Sequence, residues 1–258
     1  MARKWVRFPH PDKAYVHDAA ALKKHWPRLH KGDCEPLPKD PAALGAWGHY
    51  HAGDFSHAVE AGLAAGGAGS NAAAKAQAIY ATYLEKSDKT KLALFEEAAA
   101  WADARRAEAP KEANAHYLYA YALGRYSQGI SVVKALAQGY GGKIKEALLT
   151  TLKLAPKHAE ALTAYGSYQA EVIDKVGALV GGMTYGAKKD SALEHFQKSL
   201  KTHPDSAIAR IEYANGLIML FGKSRLAEAE ALYQEAAQCT PVDAMERLDV
   251  ELAESELA

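Results

Sequence analysis

Residues 113–130 read ANAHYLYAYALGRYSQGI. Within this stretch Ala115 stands four positions before Tyr119, and Ala120 follows the ring directly. On an α-helix, positions i and i+4 share a face one turn apart, so the alanine leaves a notch below the ring. The small neighbour then lets a second helix approach closely. The same order, Ala-x-x-x-aromatic-small, recurs at Ala43 to Trp47-Gly48, Ala76 to Tyr80-Ala81, Ala161 to Tyr165-Gly166 and Ala209 to Tyr213-Ala214. The rings Trp47, Tyr80, Tyr119, Tyr165 and Tyr213 are separated by 33, 39, 46 and 48 residues, which reads as one helix-hairpin unit with growing insertions.

A second helix is expected after each of these, and four such stretches run into Pro110, Pro156, Pro204 and Pro241. Before the last three prolines, apolar or small residues recur at four-residue steps: Ile144, Leu148 and Leu152; Ala192, Phe196 and Leu200; Ala229, Tyr233 and Ala237. That is an amphipathic stripe, and the proline cannot extend it but can open the next helix. Thr240-Pro241-Val242-Asp243 reads as such a start with Thr240 as cap, and Asp40-Pro41 reads the same way. Gly53-Asp54, residues 65–71, Gly141-Gly142 and Gly222 punctuate the hairpins. Nothing alternates like a strand. The expected fold is an all-α solenoid of about five hairpins over residues 41–241. An N-terminal arm (residues 1–40) precedes it, with a helix at about residues 12–30, and a capping helix follows over residues 242–258, striped by Ala244, Leu248 and Leu252.

The small-aromatic-small order followed by a helix ending before proline resembles the tetratricopeptide repeat. It is clearest in residues 113–130 and in LKLAPKHAEALTAYG, residues 152–166. Over about residues 41–241 the arrangement is similar to the regulator of microtubule dynamics proteins and, more loosely, to the tetratricopeptide accessory subunits of bacterial tripartite solute transporters. The resemblance implies an α-solenoid that holds a protein or a ligand, with no catalytic residue to transfer.

The bulk chemistry narrows the partners. Lysine and arginine total 31, as do aspartate and glutamate, so no net field draws the chain to nucleic acid or an anionic membrane. No segment approaches eighteen apolar residues, and the basic N-terminus lacks the apolar stretch of a signal peptide, so a cytoplasmic protein is expected. Residues 1–40 are rich in lysine and arginine and residues 228–258 in acids, which reads as solvated helix faces at the two ends. Cys34 and Cys239 form no disulfide framework or CxxC motif. Seven of the eleven histidines precede residue 58: His10, His17, His25, His30, His49, His51 and His57. His49 and His51 diverge on a helix, where a helical zinc site wants i, i+4, so no metal is expected and these read as surface groups, with a place in the groove as the alternative for His49. There is no GxSxG, and Cys34 sits in the connector GDCEPLPKDP without the setting of a catalytic thiol. No enzyme and no cofactor are expected.

Stacked hairpins leave their first helices lining a concave surface. Counting two before, two after and six after each ring gives Tyr117, Tyr121 and Arg125, then Thr163 and Ser167, then Ile211 and Asn215 as groove candidates. Tyr117, Tyr121 and Arg125 share one face and are residue types that anchor interfaces; alternatively the tyrosines pack an inserted loop. Two insertions lengthen the hairpins. Residues 124–142 contain an apolar run with room for a turn or two of helix, and residues 172–190, VIDKVGALVGGMTYGAKKD, are apolar and Gly-rich. Should the latter cover the groove, a closed cavity suited to a small molecule or lipid results. Otherwise the groove stays open to a peptide or protein segment.

Overall fold

The computed structural model describes residues 5–257, which form helices and connecting turns with no strand among them. A 3-10 turn at Lys13–Tyr15 precedes α1 (Ala19–Leu29). Five hairpins follow: α2 (Pro41–His51) with α3 (Phe55–Ala65), α4 (Gly69–Tyr83) with α5 (Asp88–Glu108), α6 (Ala113–Ile130) through the short α7 (Val132–Ala137) with α8 (Tyr140–Leu154), α9 (Ala159–Val180) with α10 (Lys189–Thr202), and α11 (Ala207–Phe221) with α12 (Leu226–Ala237). The last helix is α13 (Ala244–Leu257).

Local capping chemistry explains the boundaries. Asp40 accepts from the Ala42 amide with Pro41 in the first turn, and Ser87 and Ser206 cap α5 and α11. α5, α8 and α10 stop two residues before Pro110, Pro156 and Pro204. Three expectations need correction. The helix read over residues 12–30 is broken because two aspartates each start their own element: Asp12 caps the 3-10 turn, and Asp18 accepts from Ala20 and Ala21 to open α1. The start read at Thr240 falls instead at Ala244, where the Asp243 carboxylate accepts from the Glu246 amide at 2.8 Å. Gly141 and Gly142 lie inside α8; the chain reverses at Gly139, whose φ is 79°.

The five repeat rings are all buried. Tyr213 stacks on Phe196 of the preceding hairpin at 5.2 Å, Tyr119 lies under the Arg106 guanidinium of α5, and Tyr165 meets His195 of α10 edge-on. Trp47 and Tyr80 turn to the N-terminal arm: Trp47 packs on Trp26 and His30, and the Tyr80 hydroxyl accepts from the Val6 amide. The notch predicted from small residues is clearest at Phe196. A Cβ on Gly166 or Gly216 would come within 2.9 and 2.5 Å of its ring, so both glycines are required for α9, α10 and α11 to meet there.

The chain also closes on itself. α13 packs on α11 and α12, where Val250 and Ala253 cluster with Ile211 and Ala236, and it reaches back across the inner side of the array. Tyr50 of α2 hydrogen-bonds the Met245 sulfur, and Tyr83 of α4 donates to Asp249. The last helix therefore lies over the first helices of the hairpins as well as covering the end of the stack.

Candidate functional site

The first helices of the second to fifth hairpins and α13 surround a cavity of about 130 Å³ that stays partly open to solvent. Tyr117, Tyr121 and Arg125 of α6 and Thr163 and Ser167 of α9 line it, together with Lys75, Ile79 and Tyr83 of α4 and Met245 and Asp249 of α13. Ile211 and Asn215 do not. Because α13 leans on α11, Ile211 is drawn into the core beside Val250, while Asn215 accepts from the Tyr233 hydroxyl of α12 at 2.5 Å. Ile208 and Glu212 take their place on the wall.

The two insertions differ in what they give the cavity. Residues 124–142 hold α7, the turn or two of helix expected there, and Val132, Ala135, Leu136 and Gly141 line the cavity on that side. From residues 172–190 only Val172 touches it. That segment continues α9 to a break at Gly177, makes a π-helical turn at Gly181–Tyr185, and is pinned to α8 where Lys145 donates to the Tyr185 carbonyl at 2.7 Å. Gly181 backs onto Val172 and Ile173, leaving Leu179 and Met183 exposed at 75% and 82%.

Beside the cavity runs a polar seam that the periodic pattern does not disclose. The connector after α1 crosses the N-terminal ends of α4, α6 and α9, where unpaired backbone amides favour negative charge. Two of its carboxylates, Asp33 and Glu35, are buried there. Lys75 Nζ bridges Asp33 at 2.6 Å and Glu160 at 2.9 Å. Glu35 accepts from Asn71 at 3.2 Å and from Asn114 at 2.6 Å, and Asn114 in turn meets His158, the cap of α9, at 2.9 Å. Glu160 also receives the Tyr117 hydroxyl, which joins the seam to the cavity wall.

At its other end the seam ties the first hairpin to α13. Asp33 Oδ1 lies 2.9 Å from His30 Nδ1, His30 Nε2 lies 3.1 Å from His51 Nε2, and His51 Nδ1 lies 2.7 Å from Asp243 Oδ2. Arg28 adds a bidentate pair with Glu246 at 2.6 and 3.0 Å. His30, His51, Asp33, Asp243 and Asp249 are thus interior groups and not the solvated faces and surface histidines the composition suggested. His49 does stay at the surface, paired with Asp54.

Burial shapes the protonation of these groups. Desolvation, reinforced by the Asp33 charge, pushes Glu35 up to about 8. Asp33 is held well below the usual carboxylate range because the attraction of Lys75 and His30 outweighs its desolvation. Burial lowers His30 to about 4 and His158 to about 3. On the cavity wall, desolvation and then the Glu212 charge raise Glu171 to about 7, and desolvation lifts Asp249 well above its ordinary value. No group of three or more His, Cys, Asp or Glu among the described residues is placed to hold a metal ion. No helix among them is long and apolar enough to cross a membrane.

An all-helical chain of paired helices around an inner cavity defines a protein of the α-solenoid type. The family model for regulator of microtubule dynamics protein 1-3 matches residues 71–256, spanning the second hairpin to α13 and every wall of the cavity, and the chain belongs to that family. A comparison with curated proteins finds no match. The connector carrying Asp33 and Glu35 precedes the matched stretch, whereas their partners Asn71, Lys75, Asn114, His158 and Glu160 fall within it.

Proposed function

We propose that this chain is a non-enzymatic, cytoplasmic scaffold of tetratricopeptide-like hairpins whose inner face seats a helix of a protein partner in microtubule regulation. The observation that carries this reading is the occupancy of that face by the chain's own α13. A groove that already takes one amphipathic helix has the width and the polar fixing points for another. Asp243, Glu246 and Asp249 hold α13 chiefly through hydrogen bonds and ion pairs to His51, Arg28 and Tyr83, a seat that exchange can loosen. Tyr117, Tyr121, Arg125, Thr163 and Ser167 lie beneath the incoming helix in this arrangement, whereas Ile211 supports α13 and Asn215 is tied to Tyr233 of α12.

Microtubule co-sedimentation of the purified chain tests the proposal. Asp243→Asn/Glu246→Gln, which frees α13, is expected to raise recovery with microtubules or free tubulin, and Tyr121→Ala/Arg125→Ala to lower it. Equal recovery of all three proteins would rule the inner face out. A second reading is favoured by the walls that α7 and α13 add to the cavity: a small, largely apolar ligand held inside. Native mass spectrometry that finds a stoichiometric bound mass supports it, and bare protein under gentle conditions counts against it.

A further inference from the structure

The two most exposed large apolar side chains among the described residues, Leu179 and Met183, stand four positions apart on one tip. From Val176 to Tyr185 the chain carries no charge, and Gly177, Ala178, Leu179 and Val180 are exposed in succession. Four residues are more than one helical turn, so no side of the chain there rests on the protein. The tip is nevertheless fixed at its base, where Gly181 backs onto Val172 and Ile173 and Lys145 holds the Tyr185 carbonyl. An apolar projection kept in water forgoes the gain of burial, which a covering partner restores.

The surroundings of the tip are basic. Residues 175–189 hold Lys175, Lys188 and Lys189 and no acid, and residues 131–145 hold Lys134, Lys143 and Lys145 and no acid. The two stretches border one another, because α7 packs on α9 and a Cβ on Gly141 would stand 3.5 Å from the Tyr185 ring. Lys175 is paired with Asp174, but the other five lysines are in no ion pair among the described residues: Lys145 and Lys189 donate to backbone carbonyls, and Lys134, Lys143 and Lys188 are exposed. Asp174, Glu146 and Asp190 at the margins leave the lysines in excess.

We infer that this tip docks on an anionic lipid surface, with Leu179, Val180 and Met183 entering the headgroup boundary and the lysines around them facing the lipid charges. Apolar insertion and attraction to anionic headgroups add to one another, and each alone holds a protein weakly. The chain as a whole is neutral, so the attraction belongs to this patch and acts only at short range. An acidic protein segment would need a groove to seat its backbone, whereas this tip projects, and a fluid bilayer conforms to a projection. Half-buried Tyr140 and Tyr185 stand at the base, with Lys143 over the Tyr140 ring, and such amphipathic rings suit the headgroup level. Val133, exposed on α7 beside Lys134, repeats the pairing of apolar and basic groups on the neighbouring element. No helix among the described residues is long and apolar enough to cross a bilayer, so the contact is interfacial.

Flotation of the full chain with vesicles of phosphatidylcholine alone, or of equal parts phosphatidylcholine and phosphatidylserine, tests the inference. The chain is expected to float with the anionic vesicles, to stay behind with the neutral ones, and to be released as salt is added. Leu179→Ser/Met183→Ser, which leaves the fold intact because both positions are exposed, is expected to lower partitioning about tenfold or more. Lys134→Gln/Lys188→Gln is expected to lower it about tenfold. In Leu179→Trp the emission of the added indole, read as a difference from the unaltered chain, should shift to shorter wavelength on anionic vesicles, which adsorption by charge alone would not produce. No binding to either vesicle, equal binding to both, or anionic binding that survives the loss of Leu179 and Met183 would overturn the inference. Soluble polyglutamate that captures the chain as well as the anionic vesicles do, with Leu179→Ser/Met183→Ser captured equally, would identify an acidic protein segment instead and overturn it too. The scaffold reading stands under any of these results, because none of the altered residues lines the inner cavity.

Discussion

The hairpin interfaces and the inner seam are held by opposite means. Where α9, α10 and α11 meet, Phe196 fills the space left by Gly166 and Gly216, and the contact is area removed from water with close packing. Where the N-terminal arm, the first helices and α13 meet, the contact is a relay of buried polar and charged groups from Asp243 through His51, His30, Asp33 and Lys75 to Glu160. Apolar packing tolerates any shape that fills the volume. A buried ion network tolerates only its own partners, because one charge left alone in the interior is far more costly than the whole network is stabilising.

The largest expected effects set these two regions against each other. Phe196→Ala is expected to lose about 3–5 kcal/mol through the cavity it leaves, and Lys75→Met a similar 3–5 kcal/mol by stranding Asp33 and Glu160. Rescue tells them apart: adding Asp33→Asn and Glu160→Gln should restore most of the Lys75→Met loss in denaturant titrations, and no polar change should restore Phe196→Ala. If the triple variant stays as unstable as the single, the seam is held by something other than charge pairing. Next come the two insertions. Leu136→Ala in α7 should cost about 2 kcal/mol or more, whereas Met183→Ser in the exposed segment should stay within about 0.5 kcal/mol.

Asp243→Asn removes the charge facing the histidine pair and is expected to cost about 1–3 kcal/mol. Hydrogen exchange should speed up in α13 while α9 and α10 keep their protection; uniform acceleration would mean that α13 is not separately latched. The smallest effect is a change of slope with pH. Glu35, raised from 4.5 to about 8, keeps its proton in the folded chain, so its contribution is fully present below about 4.5 and is lost as pH rises through about 8. Glu35→Gln should therefore flatten the alkaline decline in melting temperature. His30 and His158, lowered by burial, act in the other direction: their contribution is present above about 6.5 and is lost as pH falls towards 4 and 3.

The hairpins were legible because their signal is local and periodic. Ala161, Tyr165 and Gly166 carry their packing instruction within six positions, and Pro156 and Pro204 mark helix ends without reference to anything distant. The cavity side of α6 and α9 was legible for the same reason. Ile211 and Asn215 have the same spacing but different neighbours, Val250 of α13 and Tyr233 of α12, which no spacing within α11 reveals. The seam was hidden twice over. Asp33 and Glu35 sit in a connector whose composition reads as solvated, and their partners lie 36 to 85 positions away from one another along the chain. His51 and Asp243 are separated by 192 positions. The one hint was chemical: a cluster of histidines near a short acidic connector, opposite in the chain to an acidic terminus.

Arg28 bonds to a carboxylate 218 positions further on, and the histidine pair to one nearly as distant. An open stack of repeats can ripen unit by unit as it leaves the ribosome, each hairpin settling on the one before. Here the first two hairpins must wait with an unfinished inner surface until the final helix emerges. Synthesis, for this protein, must pass α13 before its first hairpins can be said to have folded.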